Sequence, residues 1–214
     1  MILKNKEFFT DMLVSIILTN IFLIISIKLT LNFKLLYYWD IKNLSIIENT
    51  DLNLEEIKEN FNYLIYYLNS HKNITFCLPN LPSSKEGVLH FKDVKNIFNF
   101  LDKFLLVNIF VAIPFIYYKL KLAKNVIFLK YSSVLSIFVP ILLLIPLILN
   151  FEKNFILFHK LFFSNDYWLF DPSKDPIINL LPETFFFHSA LLILFLILFF
   201  SLICYIFYKN LRNL

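Results

Sequence analysis

Residues 159 to 183 hold His159, Asn165, Asp166, Trp168, Asp171, Asp175 and Glu183 within one short polar and aromatic stretch. Imidazole, carboxamide and carboxylate groups at this density suit proton transfer and polar substrate binding, and membrane anchoring requires none of them. A second histidine stands far away in sequence. His90 is followed by Asp93, Val94 and Ile97 at three, four and seven positions, so on a helix the four share one face. His159 falls on a helical stripe with Phe151, Phe155, Phe158 and Phe162. Such neighbours desolvate the ring and favour a neutral imidazole near neutral pH unless a carboxylate holds it charged, and Asp166 and Asp171 are the candidate partners.

Each group also has a plainer reading. Asp171 and Asp175 both precede a proline, which suits turns and helix starts. The acids and the two histidines are metal-ligand types, but no His-x-x-x-His or Glu-x-x-His spacing occurs, and no metal site is assigned. Ser83, Ser84, Ser164 and Cys77 are conceivable nucleophiles without a nucleophile turn, and a serine ahead of a helix is usually a cap. His71 and His188 read as polar tips at the headgroup level, and Asp102 with Lys103 as a solvated pair at the start of a span.

Four apolar runs must position these groups. The chain has 214 residues, 58% of them hydrophobic and 17% charged, with a mean hydropathy of +0.68, which places it in the membrane class. A bilayer core of about 30 Å needs roughly 20 apolar residues per helix. Residues 11–32, 98–118, 131–150 and 186–208 meet that requirement. The expected fold is an all-α membrane protein: one membrane domain over 1–214, a four-transmembrane-helix bundle with two folded extracytoplasmic connections, 33–97 and 151–185. The connection 119–130 carries Lys119, Lys121, Lys124 and Lys130 without an acid, and Lys4, Lys6, Lys209 and Arg212 mark the chain ends. That loop and both termini are therefore expected on the cytoplasmic side.

In the first outer connection Asn53 and Glu56 have capping-box spacing. Leu54, Ile57, Phe61, Leu64, Ile65 and Leu68 then recur at helical intervals, predicting an amphipathic helix to about Asn69. Ser83 and Glu86 offer a second cap, from which one helix runs into the second span. The net charge of +4 reflects anchoring and orientation, since the bases form no patch with stacking aromatics, and no nucleic acid is expected. Gly87 is the only glycine, which excludes phosphate-cradling loops, so neither nucleotide nor other cofactor is expected. Cys77 and Cys204 fall at opposite sides of the expected bilayer and form no disulfide.

Two stretches resemble one family: Ser84-Lys85-Glu86-Gly87-Val88-Leu89-His90-Phe91-Lys92-Asp93-Val94-Lys95, and Phe158 to Asp175 running on to Leu181-Pro182-Glu183-Thr184-Phe185-Phe186. The chain is similar in these stretches, and in its size and span count, to the lipoprotein intramolecular transacylases of Gram-positive and related bacteria. The second stretch is the more specific; the first has Phe91 where a methionine is expected, a departure that touches packing more than chemistry. The resemblance implies a multi-pass enzyme of the bacterial cell membrane with its site on the extracytoplasmic side, acting on membrane lipid-bound diacylglyceryl lipoproteins. It moves an acyl chain from a glyceryl ester to the α-amino group of the N-terminal cysteine. His90 and His159 map onto the family's catalytic histidines, one as general base and acid, the other as oxyanion donor or second proton carrier, in either assignment. Asp93, Lys95, Asn165, Asp166, Trp168, Asp171 and Glu183 are the expected supporting or substrate-binding groups. Two other classes remain open: a non-catalytic membrane scaffold or accessory subunit, and a metal-dependent outer-leaflet lipid hydrolase.

Overall fold

A computed structural model describes residues 2–212, with side chains described outside 2–5, 139 and 143–148. The expectations placed on Lys4 and on the extreme chain ends lie outside the described residues. In chain order the helices are α1 (Ile2–Asn32), α2 (Lys34–Asn43), α3 (Leu54–Asn69), α4 (Lys85–Tyr117), α5 (Ile127–Leu149), α6 (Phe151–Phe162), α7 (Ile177–Leu180) and α8 (Glu183–Arg212). A 3-10 turn covers Ile46–Asn49 and a π turn Tyr118–Leu122. Among the described residues there is no strand. Three helical stretches are long and apolar enough to cross a membrane, Lys6–Asn32, Lys85–Leu122 and Glu183–Arg212. The described apolar part of α5, Ile127–Leu142, is shorter.

The chain forms two compact units, the first from residues 1–30, 102–145 and 191–214 and the second from 31–101 and 146–190. In the first unit the helices approach through small polar residues. Ser15, Thr19, Ser26 and Thr30 of α1 are all buried. Without a hydrophobic driving force between helices in lipid, small side chains let backbones pack closely, and the hydroxyls of Ser15, Thr19 and Ser26 find partners. Ser15 donates to the Asp11 and Phe128 carbonyls, Ser26 to the Phe22 carbonyl, and Ser133 and Ser201 bridge α5 to α8 at 3.1 Å. Lys119, in the π turn, is 1% exposed and reaches the Asp11 carboxylate at 2.7 Å. One of the four lysines expected to face the cytoplasm is thus neutralised inside the fold, whereas Lys121, Lys124 and Lys130 are exposed. Asp102 pairs with Lys28 of α1 at 3.0 Å, not with Lys103, because consecutive helical residues point in different directions.

The second unit has its own aromatic core. Asn53 and Glu56 form the expected capping box, starting α3 at Leu54. Its apolar stripe of Ile57, Phe61, Leu64, Ile65 and Leu68 is buried, each side chain contributing roughly 1.5–3 kcal/mol. Tyr37 of α2 stacks on Phe61 at 3.7 Å between ring centroids, and Phe185 of α8 meets both rings edge-on. The Tyr37 hydroxyl donates to the Leu180 carbonyl of α7. This core fixes the flank of α4 that carries Phe91, which stacks on Phe76 at 4.4 Å.

The Asp11–Lys119 pair gives a test of the first unit. Removing one partner strands a buried charge, so Lys119→Ala is expected to destabilise the protein by roughly 3–5 kcal/mol. The double change Asp11→Leu with Lys119→Met removes both charges and is expected to restore most of that loss. Thermal unfolding of the purified protein in detergent measures both.

Candidate active site

The head of α4 is built by a long-range cap. Ser84 precedes the helix, its hydroxyl accepts the Gly87 N–H, and its own N–H and hydroxyl donate to the Asp175 carboxylate at 2.8 and 2.5 Å. Asp175 is 3% exposed and sits against the positive end of the helix dipole. The cap is one residue later than the sequence spacing suggested, since Asp175 selects Ser84 over Ser83. It also explains the lone glycine, because a Cβ at position 87 would overlap the Asp175 carboxylate. The segment following α6 is thereby fastened to the helix that carries His90.

From that cap, α4 presents His90 and Asp93 ahead of its long apolar run. The His90 ring is 6% exposed and lies 4.9 Å from the Phe163 ring, 5.3 Å from Phe170 and 6.1 Å from His159, all between centroids. Its Nδ1 is buried without a hydrogen-bond partner. Burial, and to a lesser degree the neighbouring His159, push its pKa down to about 4, against the opposing influence of Asp93.

His159 belongs to the last turn of α6. Its Nδ1 lies 2.8 Å from the Phe155 carbonyl oxygen. A carbonyl only accepts, so Nδ1 carries the proton and Nε2 keeps its lone pair. The ring stacks on Trp168 at 4.9 Å and meets Phe155 edge-on at 4.4 Å. Its pKa is also lowered by burial, partly offset by the Phe155 carbonyl. The expected partnership of His159 with Asp166 or Asp171 is replaced by this bond to its own helix.

A turn after α6 links the two rings. Trp168 Nε1 donates to the Asn165 carbonyl, the Asn165 side-chain oxygen accepts the Tyr167 N–H, and Asn165 Nδ2 donates to Asp93 at 3.1 Å. Asp93 is therefore bonded to Asn165, and the buried His90 Nδ1 has no hydrogen-bond partner among the described residues. A cavity of about 280 Å³ lies alongside, lined by Asp93, Ile97, Phe162, Phe163, Ser164 and Asn165.

The remaining expected residues stand elsewhere. Lys95 is buried, donates to the Lys72 carbonyl at 2.7 Å and caps the Tyr67 ring, so it braces α4 against α3 and the segment that follows it. Asp171 is exposed and accepts from the Ser173 N–H and hydroxyl, bonds that hold its carboxyl below the usual range. Asp166 and Glu183 are exposed, the first in the turn and the second at the start of α8. Sequence reasoning did not single out Phe163 and Phe170, the rings that wall His90, because nothing distinguishes them among 27 phenylalanines. It also missed that His188 is no loose polar tip: its Nδ1 is 2.8 Å from Asp40, a carboxylate with no exposure to solvent.

Fold and site together define an integral membrane protein equipped for acid–base chemistry. The family model of the lipoprotein intramolecular transacylase Lit matches residues 12–186, and the chain belongs to that family. The structure of the membrane integral lipoprotein intramolecular transacylase Lit from Bacillus cereus is 41% identical, covers 98% of this chain and 97% of its own, and superposes with a TM-score of 0.93. Two further structures of that Bacillus cereus protein, with one histidine changed to alanine or to arginine, match at 40% and 41% identity with TM-scores of 0.90 and 0.83. The first covers 99% of this chain and 96% of its own, the second 98% and 96%. No curated protein matches the chain. The protein is accordingly an acyl-transfer enzyme of the membrane, a lipoprotein intramolecular transacylase.

The lowered histidine pKa values carry a stability signature. An unfolded His90 takes up a proton below about 6.5, the folded one only below about 4, so the unfolded state binds more protons in between. Stability is full above that window and falls as the pH drops through it, by roughly 3 kcal/mol for His90. Thermal unfolding between pH 7 and about 4 should record the fall, and His90→Phe should flatten it. An equally steep profile in the variant would contradict the assignment.

Proposed function

We propose that the paired imidazoles catalyse transfer of an acyl chain from a glyceryl ester of a diacylglyceryl lipoprotein to the α-amino group of the same N-terminal cysteine, giving the lyso form. The amine nitrogen attacks the ester carbonyl carbon, a C–N bond forms, and the C–O bond to the glyceryl oxygen breaks. The proton lost from nitrogen passes to His159 Nε2 and from there to the departing oxygen, so that with a neutral amine no proton is gained or lost overall. His90, kept neutral by its apolar walls, offers an N–H to the tetrahedral oxyanion. The observation that carries this reading is the 6.1 Å separation of the two rings together with the tautomer of His159 that leaves Nε2 unprotonated.

No covalent nucleophile enters the scheme. Donor ester and acceptor amine belong to one molecule, and proximity of that kind supplies about 7 kcal/mol or more of the barrier where the geometry is good. The reaction exchanges an ester for an amide and runs without an energy source. The same reading sets the chain in the bacterial cell membrane as a four-span protein with 33–97 and 151–185 outside, where lipid-bearing N-termini are exposed. It is supported by the exposed cations Lys121, Lys124, Lys130, Lys209 and Arg212, which fit a cytoplasmic face.

Cells producing diacylglyceryl lipoproteins, and lacking any transacylase of their own, provide the assay. Expression of the wild-type chain is expected to convert lipoprotein N-termini to the N-acyl lyso form, read by mass spectrometry. His159→Ala and His90→Ala are each expected to lower the conversion by about 100-fold or more. Full conversion by either variant would remove that histidine from the mechanism.

A further inference from the structure

Resting on the reading above, the structure carries one inference about how the substrate is held: we propose that the Asp93 carboxylate is the receptor for the α-ammonium group of the lipid-bearing cysteine. Asp93 lines the cavity that shares its Phe163 wall with both imidazoles. Asn165 Nδ2 donates to one of its oxygens and leaves the other oxygen for a further donor. The carboxamide is itself pinned, since its oxygen accepts the Tyr167 N–H. Among the described residues no lysine or arginine is paired with Asp93.

A half-buried carboxylate without a protein cation selects for a cationic ligand and against phosphate or free fatty acid. The substrate's reacting end has one such group, its α-amine, which is largely an ammonium at neutral pH. Ile97, Phe162 and Phe163 complete the cavity with apolar surface suited to the glyceryl and acyl stems. Asp93 is three residues from His90 on α4, so one helix face delivers both the charge receptor and one ring of the pair. Bound as the cation, the substrate surrenders one proton to solvent before attack, and the second amine proton travels to the glyceryl oxygen. Held there, the ammonium of a correctly processed N-terminus is distinguished from an N-terminus already acylated, whose amide carries no charge.

The test is equilibrium binding of two synthetic lipopeptides to the full-length protein in lipid nanodiscs, in a His159→Ala background. One ligand carries diacylglyceryl cysteine with a free α-amine; the other is its des-amino analogue, which is smaller and cannot react. The expected result is tighter binding of the amine ligand by about 10- to 100-fold, the range of a charge-assisted hydrogen bond. Asp93→Asn should abolish that preference while leaving affinity for the des-amino ligand unchanged, and Asp93→Glu should retain it. Equal affinities in the His159→Ala parent, a preference that survives Asp93→Asn, or an equal loss of both ligands in that variant would each overturn the proposal. Mass spectrometry of the recovered amine ligand reports separately on catalysis: conversion in the His159→Ala background would contradict the acid–base role of His159 without bearing on Asp93.

Discussion

Desolvation of two imidazoles held 6.1 Å apart is the constraint on which the site depends. In water a histidine is partly protonated near neutral pH, and a protonated ring can take no proton from an attacking amine. Here Phe163 and Phe170 wall one ring, while Phe155 and Trp168 hold the other, and burial lowers the pKa of both. For His90 the neighbouring His159 adds to the effect, since a proton on one ring opposes a proton on the other. Aromatic packing is thus the means by which both imidazoles are kept uncharged.

Keeping those rings in place falls to contacts well outside the pair. Asp175 caps α4 through Ser84 and draws in the segment that follows α6, and the absence of a side chain at Gly87 makes room for its carboxylate. Asn165 reaches from the turn after α6 to Asp93, and the core of Tyr37, Phe61, Phe76 and Phe91 supports the other flank of α4. Lys95, buried against the Lys72 carbonyl and the Tyr67 ring, belongs to this support. Orientation of the two rings comes from bonds that each join residues distant in sequence.

Local signals carried much of this into the sequence. The Asn53 and Glu56 spacing announced α3 to within a residue, because a capping box is satisfied by neighbours on the same turn. The Phe155 and Phe158 rings beside His159 followed from helical spacing alone. What failed to show were pairings decided by distant chain. Ser84 displaced Ser83 as the cap because of Asp175, and His188 found Asp40 across 148 positions. Asp171 is, with Asp166, a candidate partner of His159 by sequence, but Ser173, two residues on, offers it two bonds at lower entropic cost. The phenylalanines that enclose His90 are invisible in a chain that has 27 of them.

Nitrogen-15 NMR of the full-length protein in detergent, with labelled histidines and the His90→Phe and His159→Phe variants for assignment, tests the central claim most directly. At neutral pH both rings are expected to be uncharged, with His159 protonated on Nδ1 and bare on Nε2. A charged imidazole at either position, or a His159 ring bearing its proton on Nε2, would contradict it.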